Sequence, residues 1–263
     1  MHPTRLRFTV RFWMAAVAVS CVPICCVRFG QRFPLDSGCR PSCQNHLKNI
    51  ALALLQYSTH TGVFPYASVP NPGLPVQRRL SWHTAVLPYY DNQDIYNMID
   101  RSGAWDDPSN GQFTQTSISL LRCPSQSVGS PYHWTHYVGV SGLGPDSPWL
   151  QAGHPRSGVF GHNRVTRLSD LKDGAANTLV VTETARRNGP WAAGGDPTVR
   201  PVDPAARPYI GPGRPFGGLG TDGANAAFAD GSVRHISATI NPQVFEAIST
   251  VAGGESLPEN WIP

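Results

Sequence analysis

The hydrophobic pattern opens with an uncharged run, Phe12–Val27 (FWMAAVAVSCVPICCV). Its length lies between the about 7–15 residues of a signal-peptide core and the about 20 of a spanning helix. Pro23 removes a helix donor and crowds the preceding turn, which membrane helices tolerate better than soluble ones. Arg11 on one side and Arg28 and Arg32 on the other can snorkel and extend the usable length. The run therefore reads as an export signal retained as an anchor, residues 1–28, with the short N-terminal tail in the cytoplasm and residues 12–27 in a lipid bilayer. Ala18-Val19-Ser20-Cys21 faintly resembles a lipoprotein processing site, with Ala18 where a larger aliphatic is usual.

Gly30, Pro34, Gly38 and Pro41 make residues 29–41 a linker, because each disfavours helix. Ser42 can then cap a helix in which Leu47, Ile50, Ala51, Leu54 and Leu55 recur at three- and four-residue spacing up to about His60. Gln44, Asn45, Lys48, Asn49 and Gln56 point elsewhere, so one face packs on a core. Thr61-Gly62 ends the helix and Phe64-Pro65 starts extended chain. Leu80–Asp100 reads as helical turns broken at Pro88, with Trp82, Val86, Leu87, Tyr90, Ile95, Tyr96 and Ile99 as core contacts.

From Gln112 onward, short apolar stretches between Gly, Pro and Asp turns predict β-structure. The clearest strands are Asn177–Thr182, Ala224–Ala229 and Ser232–Ser237. Asp230-Gly231 reads as a two-residue hairpin turn with positive φ at both positions. The Gly/Pro-dense stretch Gly189–Gly220 reads as a long excursion. Helical turns followed by strands give an α+β domain over residues 42–263, its helix packed on an antiparallel sheet.

Charge sharpens this picture. Of the net +4 over 263 residues, residues 1–40 contribute six arginines against one acid, Asp36, and the remainder is close to neutral. A nucleic-acid binder would need its basic residues on the folded part, so a nucleic-acid partner is excluded and a membrane-contact head is implied. Gly 26 and Pro 25 stay below the level of disordered low-complexity chains, and 40% hydrophobic residues suffice for a core.

Cys21, Cys25 and Cys26 lie in the apolar run, where cysteine behaves as a small hydrophobe. Cys39, Cys43 and Cys123 lie beyond it, and their spacing fits neither a zinc ribbon nor a redox C-x-x-C motif. In an exported body the simplest arrangement is one disulfide with one thiol left over. The expected pair is Cys43–Cys123, closing a long loop that stabilises by about 4 kcal/mol in the chain-entropy model.

Several constellations invite chemistry and are read structurally. His133-x-x-His136, with His154 and His162, lies in a Gly/Pro-rich, non-helical stretch without an H-E-x-x-H base. Asp222-Gly223, Asp230-Gly231 and Asn225 offer oxygens suited to calcium, but turn chemistry explains both pairs, and Asp173-Gly174 too. The expectation is no cofactor, with calcium as the one candidate. No G-x-S-x-G elbow is present. Glu183, the sole acid in an apolar context, reads as a buried hydrogen-bonding group, and Gly217-Gly218-Leu219-Gly220 lacks the strand and helix of a phosphate loop. Trp82, Trp105, Trp134, Trp149 and Trp191 are read first as core; Trp82, Trp134 and Trp191 are the candidates for stacking a ligand.

Taken in order, CQNHLKNIALALLQYSTHTGVFP, LSWHTAVLPYYDNQDIYNMID, LRCPS, HYVGVSG, SGVF, RLSDLKDGAANTLVVTE and GANAAFADGSVRHIS resemble the family of domain of unknown function 1559, expanded in planctomycetes and also labelled bacterial solute-binding family 10. The resemblance runs from about Cys43 to Ser237. The family is similar to type IV pilins and secretion pseudopilins, some of which use calcium. It implies an anchor helix followed by an antiparallel sheet, a prepilin-like processing site and an H-x9-DG segment. Arg7 and Phe8 occupy the processing site, with Phe8-Thr9-Val10 in agreement, Arg7 in place of glycine and Phe12 in place of glutamate; Gly220 stands where the segment has histidine. The expected function is a membrane-anchored, extracytoplasmic, pilin-like structural or interaction protein without catalysis, its partners the bilayer and other pilin-like subunits or secretion components. The alternative is an extracytoplasmic carbohydrate- or solute-binding module.

Overall fold

The structure is a computed structural model and describes residues 36–124, 131, 133–218, 222–258 and 261, with side chains from Arg40 onward. The apolar run 12–27, Arg7, Phe8, Cys21 and the Cys39 side chain lie outside what is described. Among the described residues, no helix is long and apolar enough to cross a membrane.

Helix α1 (Asp36–Thr61) buries Cys43, Leu47, Ile50, Ala51, Leu54 and Ser58, a single stripe at helical spacing. It begins six residues before the expected cap at Ser42. Gly38 and Pro41, expected in the linker, lie in its first turns. Pro41 removes one donor, and the buried stripe starting at Cys43 supplies packing that carries the helix through this loss. Leu55 is half-buried rather than core, at the edge of the stripe. Gly62, at φ 79°, closes the helix by donating its N–H to the Ser58 carbonyl at 2.8 Å.

The segment expected as broken helical turns forms α2 (Trp82–Val86), a 3-10 turn (Leu87–Tyr90) and α3 (Gln93–Met98). Ser81 caps α2 by accepting from His83 N. Trp82, Val86, Leu87, Tyr90 and Ile99 are buried, and Ile95 and Tyr96 pack partly buried against the same core. A further helix, α4 (Pro108–Thr114), was not legible because Ser, Asn and Gly fill its interior.

The sheet has five strands: β1 (Tyr137–Leu143), β2 (Leu179–Glu183), β3 (Val199–Val202), β4 (Gly223–Phe228) and β5 (Val233–Ser237), in spatial order β3-β1-β2-β4-β5. The three pairs from β1 to β5 are antiparallel, but β3 runs parallel to β1. The sheet is therefore mixed where a purely antiparallel one was expected. The Gly/Pro-dense excursion carries the chain back to the free side of β1, and Pro201, lacking a donor, suits β3 to an edge.

The β4–β5 hairpin forms, with a different turn. Phe228 accepts from Gly231 N and donates to Ser232 O, so three residues connect the strands and Gly231 alone (φ 82°) is left-handed. This is a type I turn followed by a glycine bulge, which relieves Asp230 of the positive φ expected of it.

Side chains fill both faces of the sheet. Tyr137, Val181, Val199 and Ala227 meet α1 and α2, whereas Val138, Val140, Ala224, Ala226, Phe228 and Ile236 meet α5 (Pro242–Ile248) and Tyr209, Ile210 and Phe216. At Gly139 a Cβ would lie 2.6 Å from the Phe160 ring, so β1 can approach that ring only through glycine. The class is α+β.

Candidate interaction surface along the first helix

Two sets of polar residues meet α1, one beneath it and one beside it. Beneath, Cys43 is bonded to Cys123, tying α1 to the segment ahead of β1 across 80 residues of chain. The Glu183 carboxylate lies within 4.8 Å of both sulfurs. It accepts from Asn225 N at 2.8 Å and Asn225 Nδ2 at 3.0 Å, and Asn225 Oδ1 accepts from Gln44 Nε2 of α1 at 3.2 Å. Lys48 Nζ donates to the Gly231 carbonyl at 2.7 Å, and Arg40 pairs with Asp222. These contacts hold α1 over β4 and its flanking residues, through the buried Glu183 and Asn225 at the centre and the exposed Lys48 and Asp222 at the edges. Glu183 is thus the buried hydrogen-bonding group its sequence context predicted.

Tyr137 and His46 continue the seam outward. Burial, and after it the Glu183 charge, pushes the Tyr137 hydroxyl well above its ordinary range. That hydroxyl sits 3.4 Å from His46 Nδ1, and burial holds the His46 imidazole below its usual value, hence neutral at pH 7.

Beside α1 runs a groove. A hollow of about 430 Å³ is lined by His46, Asn49, Leu52, Ala53 and Gln56 of α1 and by Tyr89, Tyr90, Asp91, Ser119 and Leu120 across from it. A shallower hollow, with Leu55, Thr59 and His60, adjoins it through Leu52, Gln56 and Tyr89. Leu52 is 42% exposed on the rim. Asp91, which ends the 3-10 turn, has φ 57°, a conformation aspartate tolerates better than most residues.

The structure separates most of the other candidates. Trp82 and Trp191 are core side chains, donating indole N–H to the Thr198 and Thr116 carbonyls, so neither can stack a ligand. Volume decides this: the largest rings go where most apolar area is removed from water. Trp134 is half-buried, and Trp149, 53% exposed, packs against the His162 ring. Among the described residues, no three of the histidines converge: His136 is buried with Nδ1 accepting from Cys123 N, while His162 bonds Ser68 Oγ. Among the described residues, the one cluster of three metal-type donors is Cys43, Cys123 and Glu183, two of which are joined as a disulfide. The acidic turn residues face different partners. Asp230 accepts from Ser232, Asp222 pairs with Arg40, Asp173 accepts from Gly253 N and Gly254 N, and Asn225 is held by Glu183.

Sequence reasoning did not find the groove. The polar stripe Asn45-Lys48-Asn49-Gln56 announced an outward face, yet nothing local in the chain told that Tyr89, Asp91 and Ser119 would stand opposite it.

A helix strapped by a disulfide and polar contacts onto a five-stranded mixed sheet, with a polar groove along its flank, defines an α+β domain built around its first helix. Residues 39–211 match the family model SBP_bac_10, described as "Protein of unknown function (DUF1559)", and the chain belongs to that family. The match ends ahead of β4 and β5. No curated protein and no solved structure matches the chain.

Proposed function

We propose that the protein is a non-catalytic, extracytoplasmic structural or interaction module, tethered to a membrane by its N-terminal apolar run and built in the manner of a pilin or pseudopilin. The observation that carries this reading is the Cys43–Cys123 disulfide. Such bonds persist in oxidising compartments, which the reducing cytosol is not. The arginine-flanked run 12–27, and membership of a family that is itself similar to pilins, support it further. So does α1, whose 26 residues lie nearest the run in sequence and present one face to the sheet and the other outward.

Protease shaving tests the reading. A C-terminally tagged full-length protein in intact cells or spheroplasts is expected to fractionate with membranes and to lose its tag to external protease. A tag protected until the membrane is lysed would refute an extracytoplasmic body.

A further inference from the structure

We infer that the groove between α1 and the Tyr89–Asp91 turn is a binding site for a neutral oligosaccharide of two or three units. Its volume, about 430 Å³, lies within the about 300–1,000 Å³ of small-ligand sites. The lining chemistry selects the ligand class. Asn49, Gln56, Tyr89, Asp91 and Ser119 all face this hollow, and none of their side chains makes a hydrogen bond or ion pair with the described residues. Amide and phenol groups both donate and accept, a carboxylate accepts twice, and a serine hydroxyl does either. That set matches vicinal hydroxyls, each of which also donates and accepts. Leu52, Ala53, Leu120 and the Tyr89 ring supply apolar backing for the C–H faces of a sugar ring.

Charge narrows the class further. Among the described residues no lysine or arginine lines the hollow, His46 is held neutral by burial, and Asp91 carries the one formal charge. An anionic ligand would meet repulsion without a counter-charge, so phosphorylated and uronic sugars are disfavoured. Asp91 is exposed at the end of the 3-10 turn, and among the described residues its carboxylate has no hydrogen-bond or ion-pair partner, which leaves both oxygens to accept from a ligand hydroxyl. Asn49 and Gln56 lie seven residues apart on one side of α1, so the helix presents their amides about two turns apart along the groove.

The test uses the full-length protein in a detergent without a sugar head group. It is titrated by calorimetry with neutral maltotriose, cellotriose, mannotriose and tri-N-acetylchitotriose, and with an oligogalacturonate as the anionic counterpart. At least one neutral trisaccharide is expected to bind saturably in the submillimolar to millimolar range. Asn49→Ala and Asp91→Asn, both at exposed positions, are each expected to weaken it about tenfold with unchanged melting temperature, while Trp149→Ala, at an exposed side chain that does not line the hollow, leaves it unaltered. Absence of saturation with every neutral sugar into the tens of millimolar would overturn the assignment. So would binding that both groove variants leave intact, or tighter binding of the galacturonate.

Discussion

Two arginines eight residues apart in sequence should respond to the same mutation very differently. Arg164 is 6% exposed, and its guanidinium donates to five carbonyls: Ser147 and Leu150 through Nη1, and Ser141, Gly158 and Phe160 through Nη2, at 2.9–3.1 Å. Burial lowers its pKa to about 10, which still leaves it charged at neutral pH. Ser141 and Ser147 also accept from Gly158 N and Leu150 N, whereas the Leu150, Gly158 and Phe160 carbonyls have Arg164 as their donor among the described residues. Arg164→Met keeps length and much of the volume but strands those three acceptors, at about 1–3 kcal/mol each before relaxation. Water entry recovers part of this, so the net loss should be about 3–5 kcal/mol, or about 6–20 °C in melting temperature for a domain of this size. Arg156 instead forms an exposed two-pronged pair with Asp146 and donates to a single carbonyl, Leu143 O, at 3.1 Å. Arg156→Met should leave the melt close to that of wild type, because solvent screens an exposed pair. Paired thermal and urea melts of the two variants, read by circular dichroism, give the comparison. An Arg164→Met variant within 1 kcal/mol of wild type, or as mild as Arg156→Met, would refute the view that this guanidinium organises the irregular chain between β1 and β2.

Other parts of the molecule give further expected outcomes. Reducing Cys43–Cys123, or replacing both cysteines by alanine, should remove about 4 kcal/mol and lower the melting temperature by about 8–16 °C, because the bond closes 80 residues of chain; an unchanged melt under reductant would contradict this. His83 and His162 are held neutral by burial, with folded pKa values of about 3 and about 4 against about 6.5 unfolded. The unfolded chain therefore binds more protons between those values, so stability is full above about pH 6.5 and declines as pH falls. Melts between pH 7.5 and 5, above the range where carboxylates titrate, should show that decline and His162→Asn should flatten part of it; a flat wild-type profile would count against it. Gly139→Ala drives a methyl into the Phe160 ring and should cost about 1–3 kcal/mol, with partial rescue when Phe160→Leu is added; a neutral Gly139→Ala would show that β1 and the ring part easily.

The periodic elements were legible because their hydrophobic pattern and their burial coincide. Leu47, Ile50, Ala51 and Leu54 announced the inward face of α1, and Trp82, Val86, Leu87 and Tyr90 announced the broken turns after it. The start of α1 was misread because Gly38 and Pro41 signal a break locally, while the packing that sustains the helix comes later in the chain. The direction of β3 was not legible: four residues of edge strand carry no mark of the neighbour they pair with, and only the route of the Gly/Pro-rich excursion determines it. Asp230-Gly231 signalled a hairpin correctly but not its turn, since one glycine in the left-handed region is enough for a three-residue connection. For the tryptophans the default reading as core holds at Trp82 and Trp191, whereas the second reading, ligand stacking, needs an exposure that their sequence context could not supply. The groove was least legible, since its walls lie from about thirty to more than seventy residues apart in sequence.

The claim on which the functional reading rests is that the folded body matures where thiols oxidise. Its most direct measurement is the in-cell state of Cys43 and Cys123. The full-length protein is acid-trapped from its own cells, alkylated with a mass-tagged maleimide without reduction, and mapped by peptide mass. An extracytoplasmic body predicts both cysteines untagged and recovered as one linked peptide pair. Two tagged, separate peptides from a membrane-free fraction would contradict it.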